Sequence, residues 1–98
     1  MNNKEYSTCQ ICHEGIARYF LNGKIHNEHG PAIIEPSGNK WWVINGKTHR
    51  TDGPAVEWID GTCWWYLNDK KYSLEKYCKT LHGKDWEIYF TKYSLMYG

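Results

Sequence analysis

The sequence predicts a mainly β protein: an antiparallel β-meander of 23-residue hairpin repeats with one short C-terminal α-helix. Two observations predict this fold class, namely a segment that repeats in the middle of the chain and a change of hydrophobic period after residue 72. The length is a third observation: 98 residues are enough for only one hydrophobic core, so we predict a single domain, residues 1–98.

The repeat is visible when residues 18–40 are written above residues 41–63, without a gap. The identical positions are turn residues and one histidine, and the pairs are Asn22-Gly23-Lys24 with Asn45-Gly46-Lys47, His26 with His49, Gly30-Pro31-Ala32 with Gly53-Pro54-Ala55, and Gly38 with Gly61. A third copy begins at Trp64 and decays after Lys70. A fixed period of this length indicates a repeat architecture over residues 18–72.

The repeated residues predict where strands end. Asn-Gly between apolar runs is the signal of a type I′ hairpin, since both central residues need positive φ. Gly-Pro and Ser-Gly or Asp-Gly mark two further breaks in each copy. The predicted strands are 18–21, 24–26, 32–35, 40–44, 47–49, 55–59, 62–67 and 70–72.

The segment after the repeats predicts a helix. Ser73 can cap its N-terminus, the apolar residues follow helical spacing, and Gly83 supplies a stop, which places the helix within residues 73–83. The apolar positions are Leu74, Tyr77, Cys78 and Leu81. Residues 84–98 are predicted as a last strand, near Trp86–Phe90, and a tail.

Alternation along the strands divides the large side chains into two sets. The set predicted for the core face is Tyr19, Leu21, Trp42, Ile44, Trp65 and Leu67. The set predicted for the outer face is Arg18, Phe20, Trp41, Val43, Trp64 and Tyr66. Tryptophan, tyrosine and arginine are frequent anchors of protein interfaces. We therefore predict a partner-binding stripe of Arg18, Phe20, Trp41, Trp64 and Tyr66, against the alternative that a dimer mate packs on that face.

Composition restricts the partners. A net charge of +1 lacks the basic footprint of a protein that binds nucleic acid by neutralising phosphates, although a local patch is compatible with it. No apolar run reaches membrane-spanning length, and the first residues lack a signal-peptide pattern, so we expect a cytoplasmic protein that does not contact a membrane. Cysteines in that compartment favour free thiols or metal over disulfides.

Four residues have the types and spacing of a structural zinc site. Cys9 and Cys12, in the N-terminal segment 1–17, form a C-x-x-C pair, and Cys78 and His82 are spaced i, i+4 on the predicted helix. Cys63 and His13 are substitutes for one ligand. The alternative is that Cys78 fills the apolar side of the helix and the other cysteines lie in a loose segment. The segment around Cys9 and Cys12 also resembles a haem-attachment motif and the start of a RING finger. Haem attachment requires export, for which the first residues show no signal, and a RING finger requires further metal ligands that the sequence does not supply.

No catalytic constellation is present, and we predict that the protein is not an enzyme. His26 is followed by Asn27, Glu28 and His29, which could suggest a metal or nuclease site. In the second copy only the first histidine recurs, as His49. We therefore interpret it as a framework residue of the repeat that bonds a loop carbonyl.

The repeated unit, with Asn-Gly-Lys, histidine, Gly-Pro-Ala and a following Asp-Gly, resembles the MORN-like (variant MORN) repeats of short bacteriophage and large-virus proteins. The third copy departs from the pattern, with Asp69 for the turn glycine and Tyr72 for the histidine, as a terminal unit would. The resemblance implies a non-enzymatic scaffold used for binding. A weaker similarity, over residues 60–67, is to aromatic choline-binding repeats.

The function predicted from these features is binding of another protein. The resemblance to phage proteins implies an inhibitor or adaptor acting on a bacterial defence protein in the host cytoplasm. Two other classes stay open: a module that binds carbohydrate or single-stranded nucleic acid by ring stacking, and a structural protein that self-assembles into homo-oligomers through open sheet edges.

Overall fold

The computed structural model describes residues 7–12 and 14–97. In this part of the chain ten strands precede two helices. The strands are β1 (Thr8–Ile11), β2 (Ala17–Leu21), β3 (Lys24–Ile25), β4 (Ile33–Ile34), β5 (Lys40–Trp41), β6 (Val43–Ile44), β7 (Lys47–Thr48), β8 (Val56–Glu57), β9 (Cys63–Leu67) and β10 (Lys70–Tyr72). The helices are α1 (Leu74–His82) and α2 (Trp86–Tyr97), joined by a 3₁₀ turn (Gly83–Asp85).

The main sheet is antiparallel, and its strand order, β1-β2-β4-β5-β8-β9-β10, keeps neighbours in chain order. β3 adds to β2, and β6 and β7 form a separate hairpin. The prediction of a mainly antiparallel meander is therefore confirmed. β1, which pairs with β2, was not predicted: it lies in the N-terminal segment that sequence reasoning treated only as a C-x-x-C segment.

The hairpin turns have the backbone that the Asn-Gly signal predicts. Asn22 and Gly23 have φ of 52° and 79°, and Asn45 and Gly46 have φ of 50° and 78°. The third turn uses Asn68 and an aspartate at φ of 69° instead of glycine. Positive φ at both central residues matches the twist of the flanking strands.

Each repeat histidine connects its own hairpin to the next one. His26 Nδ1 accepts a hydrogen bond from the backbone N–H of Asn45 at 2.9 Å, and His49 Nδ1 accepts one from Asn68 at 3.0 Å. Both bonds span 19 residues. The two histidines thus connect successive hairpins, as framework residues of the repeat. The expected bonding partner was wrong, because each imidazole accepts a hydrogen bond from a backbone amide and does not bond a loop carbonyl.

Backbone hydrogen bonds recur with the same offset as the sequence. Tyr19 N donates to Ala32 O, and 23 residues later Trp42 N donates to Ala55 O. Asn27 N donates to Val43 O, and at the same offset Arg50 N donates to Tyr66 O. The loops and hairpins of the first two copies therefore have matching geometry.

The main core lies between β9 and the two helices. Its buried members are Trp65, Leu67, Tyr77, Cys78 and Tyr93. The predicted helix is confirmed as α1: the Ser73 hydroxyl accepts from Lys76 N at 3.2 Å, and the Gly83 N–H donates to Lys79 O. These two caps satisfy backbone groups that a helix otherwise leaves unpaired at its ends.

The prediction of a strand and tail over residues 84–98 was wrong. Residues 86–97 form α2, whose rings recur three or four residues apart and line one side of the helix: Trp86, Tyr89, Phe90, Tyr93 and Tyr97. Covering Trp65 with these rings favours the helix over the strand preference of aromatic residues, which depends strongly on context. Neither helix among the described residues is long and apolar enough to cross a membrane.

The division into faces was partly correct. Trp65 and Leu67 are buried, as predicted for the core face, while Tyr19, Leu21, Trp42 and Ile44 are half-buried. Val43 was assigned to the outer face, yet it is only 5% exposed. Its strand β6 leaves the main sheet, and its carbonyl accepts a hydrogen bond from Asn27 N in the preceding loop at 3.1 Å, so the alternation of the main sheet does not set the face of Val43.

Candidate functional site

Cross-strand register places two predicted tryptophans on the same face of the sheet. Trp41 lies opposite Val56, and Val56 lies opposite Trp64. Directly opposed residues in an antiparallel sheet share a face, so Trp41 and Trp64 flank the buried Val56 from either side. Trp58 follows Val56 by two positions and shares that face.

The three rings form what we call the indole cluster: Trp41, Trp58 and Trp64. The Trp58 ring lies between the other two, with centroid distances of 5.3 Å to Trp41 and 5.0 Å to Trp64. Both pairs are edge-to-face, the geometry that the ring quadrupoles favour. All three side chains are half-buried. The cluster is thus a preformed aromatic surface that needs little side-chain ordering.

Trp58 was missed by sequence reasoning. Its equivalent in the first copy is Glu35, so comparison of the repeats did not single it out. Alternation from Val56 within the predicted strand 55–59 was the signal that could have found it. Its Nε1–H is buried without a hydrogen-bond partner in the described part of the chain. Such a donor lowers stability unless a ligand or water satisfies it.

The other predicted binding residues lie at the two sides of the cluster. Lys71, opposite Tyr66 in the β9–β10 pair, places its Nζ 4.0 Å from the Trp64 ring centroid. Arg18 and Phe20 lie on β2, separated from Trp41 by β4, where they line a small cavity of about 120 Å³. Arg18 lies opposite Ile33, and Ile33 lies opposite Trp41, so Arg18 shares the face of the sheet that carries Trp41 and Trp64. Phe20 follows Arg18 by two positions on β2 and shares that face. The structure therefore places the predicted stripe on one face, with Arg18 and Phe20 separated from Trp41 by one strand.

On the other side of the sheet, Arg50 organises the loop of the second copy. Its guanidinium lies 4.0 Å from the Trp42 ring centroid, and its Nη1 donates to Pro54 O at 3.0 Å. Nε and Nη1 also contact Asp52 and Glu57 at 3.0 and 3.1 Å. These contacts tie the loop to itself and to β8, and the guanidinium covers part of the Trp42 ring.

A cavity of about 540 Å³ opens beside this arginine. It lies between the loop of the first copy, residues 27–31, and the loop of the second, residues 49–52. Trp42 and Ile44 form its apolar wall. Its position between equivalent loops of successive repeats could not be deduced from composition or motifs.

The four predicted zinc ligands do not meet. Cys9 and Cys12 lie on or beside β1, at one edge of the main sheet, and Cys12 Sγ contacts Glu14 Oε1 at 3.0 Å. Cys78 and His82 lie on α1, which packs on β9 and β10 at the other edge. No group of three or more His, Cys, Asp or Glu side chains among residues 7–12 and 14–97 could hold a metal ion.

The two pairs have other roles in this fold. Cys78 is fully buried in the core, and burial raises the pKa of its thiol, so it stays protonated and packs as a small apolar side chain. His82 stacks on Tyr89 with ring centroids 3.5 Å apart. Of the two substitute ligands, Cys63 lies at the start of β9, and His13 lies outside the described residues.

A second apolar surface lies on α2. Ile88, Leu95 and Met96 are 68%, 84% and 58% exposed. Leu95 and Met96 border a cavity of about 420 Å³ that also contacts Trp58 and Cys63. The apolar surface of the helix thus continues toward the edge of the indole cluster.

Comparisons with protein-family models, with curated proteins and with solved structures gave no match.

Proposed function

We propose that this chain is a non-enzymatic β-hairpin repeat protein that binds another protein through the indole cluster, with Tyr66 and Lys71 at its border. The observation that carries the proposal is the packing of Trp58 between Trp41 and Trp64 on one open face. Rigid aromatic side chains bury large areas at low entropic cost, which is why they dominate binding energies at protein interfaces.

The ring geometry favours a protein over a sugar or an unpaired base. Sugars and bases stack on flat ring faces that are free. In the indole cluster the rings meet edge-to-face, and the Lys71 ammonium lies over Trp64. Grooves between tilted rings instead accommodate aliphatic and aromatic side chains, and Lys71 offers a partner carboxylate a contact at the border.

The identity of the partner is part of the same proposal. The resemblance to MORN-like repeats of phage proteins supports an inhibitor or adaptor that acts on a bacterial defence protein in the host cytoplasm. Three motifs carry the resemblance: the Asn-Gly turns, the repeat histidines and the Gly-Pro-Ala loops. Each of them has a structural role in the fold.

The experiment combines capture and variants. The tagged full chain is used to capture partners from a bacterial lysate, which mass spectrometry identifies, and the affinity of the purified partner is then measured. Trp41→Ala and Trp64→Ala are expected to weaken binding at least tenfold, as loss of a hot-spot residue does. Lys71→Glu tests the border without touching the core, because Lys71 is exposed. Thr91→Ala, at an exposed position of α2 outside both apolar surfaces, is the control and should leave the affinity unchanged.

Unchanged affinity in Trp41→Ala and Trp64→Ala, with circular dichroism showing that both fold, would overturn the proposal. Binding of an oligonucleotide that weakens steeply with salt would favour a nucleic-acid module, and salt-insensitive binding of a glycan a carbohydrate module. Assembly of the purified chain into large homo-oligomers, measured by light scattering, would favour the structural role.

A further inference from the structure

Tyr77, on α1, docks on the loop of the second copy. The Tyr77 hydroxyl donates to Arg50 O at 2.6 Å, lies 3.0 Å from Gly53 O and accepts from Gly53 N at 3.4 Å. Its ring packs on Trp65 with centroids 4.9 Å apart. A tyrosine on a helix thus binds the loop of the second copy and the tryptophan of the third.

The same site exists one repeat earlier, without a tyrosine. Moving back by 23 residues replaces Arg50 with Asn27, Gly53 with Gly30, Pro54 with Pro31, Trp65 with Trp42 and Leu67 with Ile44. All five of these equivalent residues line the 540 Å³ cavity. The cavity is therefore the first-copy counterpart of the place that Tyr77 fills.

The two loops also match in their hydrogen bonds. Asn27 Nδ2 donates to Pro31 O at 3.1 Å, as Arg50 Nη1 donates to Pro54 O at 3.0 Å. In the second copy, Tyr77 engages the loop carbonyls. In the first copy, no hydrogen bond between described residues engages the carbonyls of Asn27 and Gly30. Acceptors placed in the same way are thus available in the cavity.

The first-copy site has more space than the second. A Cβ built on Gly53 would lie 2.7 Å from the Arg50 guanidinium, whereas one built on Gly30 meets only Asn27 Nδ2, at 3.9 Å. Asparagine in place of arginine leaves the loop less filled. The cavity can therefore receive a ring.

We propose that this cavity binds a tyrosine side chain presented by a helix of another protein. The ring packs against Trp42, and the hydroxyl donates to the carbonyl of Asn27 with the Gly30 carbonyl close by, as Tyr77 does with Arg50 and Gly53 one repeat later. Trp42 follows Trp41 in the chain and lies on the other side of the sheet from the indole cluster, so this site does not depend on the function proposed for that cluster.

The test uses two small probes on the full-length protein. N-acetyl-L-tyrosinamide and N-acetyl-L-phenylalaninamide differ by one hydroxyl and are titrated into ¹⁵N-labelled protein. The tyrosine amide is expected to shift the Trp42 indole N–H and the Gly30 amide saturably. Its dissociation constant should be roughly fivefold lower than that of the phenylalanine amide, as one neutral hydrogen bond provides.

Two variants locate the site. Thr51 is exposed and lines the cavity, so Thr51→Trp should fill it and abolish the shifts. Thr91 is an exposed threonine on α2, and Thr91→Trp should leave them unchanged. Trp41→Ala should also leave them unchanged, which separates this site from the indole cluster.

Equal affinity for the two amides, saturable shifts confined to residues outside the cavity, or full binding in Thr51→Trp would each overturn the proposal. Absence of any saturable shift at Trp42 and Gly30 would overturn it as well.

Discussion

The Tyr77 hydroxyl donates to the carbonyl of Arg50, 2.6 Å away and 27 residues earlier in the chain. This bond attaches α1 to the loop of the second repeat. Because Tyr77 is fully buried, its hydroxyl replaces water as the hydrogen-bond donor to the Arg50 carbonyl. The helix and the repeats therefore depend on each other for stability.

Tyr77→Phe should destabilise the protein. The variant keeps the ring on Trp65 but leaves the carbonyl of Arg50 without its donor, which costs about 1–3 kcal/mol for a buried group. Urea unfolding followed by tryptophan fluorescence measures the change. Tyr89→Phe, which keeps the ring stacked on His82, is the control and should differ by much less.

Stability should fall at alkaline pH. Burial raises the pKa of the Tyr77 hydroxyl above its unfolded value of about 10, and burial also raises that of Tyr93. Below pH of about 10 both states keep the protons and the contribution is complete. Above it the unfolded state releases them first, so the free energy of unfolding decreases. Tyr77→Phe should show a shallower decrease, and parallel curves for the two proteins would contradict the assignment.

The repeat histidines should contribute to stability as a pair of equivalent contacts. His26→Ala and His49→Ala each remove the acceptor of a hairpin amide, and each should cost about 1–2 kcal/mol. His26 is buried, so its substitution should cost more than that of His49. His29→Ala, at an exposed position, should change the free energy of unfolding little. Equal effects at all three positions would argue against a framework role.

The second hairpin turn should require glycine. Gly46 has φ of 78°, and a methyl group added there would meet no neighbouring atom, so the cost of Gly46→Ala is conformational and should be about 1–2 kcal/mol. Gly30→Ala is the matched control, because Gly30 is outside the left-handed region and its Cβ would meet only ordinary contact. Chemical denaturation of both variants gives the comparison.

The effect of substituting a cysteine on stability should depend on its burial and not on membership of a zinc site. Cys78→Ser places a hydroxyl in the core and should cost more than about 1 kcal/mol, whereas Cys9→Ser on exposed β1 should cost almost nothing. Addition of a chelator should leave both melting temperatures unchanged. Similar losses in the two variants, together with a chelator effect on the wild type, would instead support a shared zinc site.

Much of the fold could be predicted from the sequence because its signals are local. Positive φ at Asn-Gly, the serine cap of α1 and the glycine after it act within a few residues. Trp41 and Trp64 could be placed on one face of the sheet from the sequence, since they occupy equivalent positions of successive copies and strand alternation assigns both to the same side.

The sequence by itself therefore determined the hairpin repeats, the first helix and the face that carries two of the three indoles. Only the tertiary structure decided that residues 86–97 form a helix, that Trp58 completes the cluster, and that Cys9 and Cys78 lie at opposite edges of the sheet. These outcomes depend on contacts between residues far apart in the chain. Burial against Trp65 and pairing across strands outweigh local preference there, and no local pattern records them.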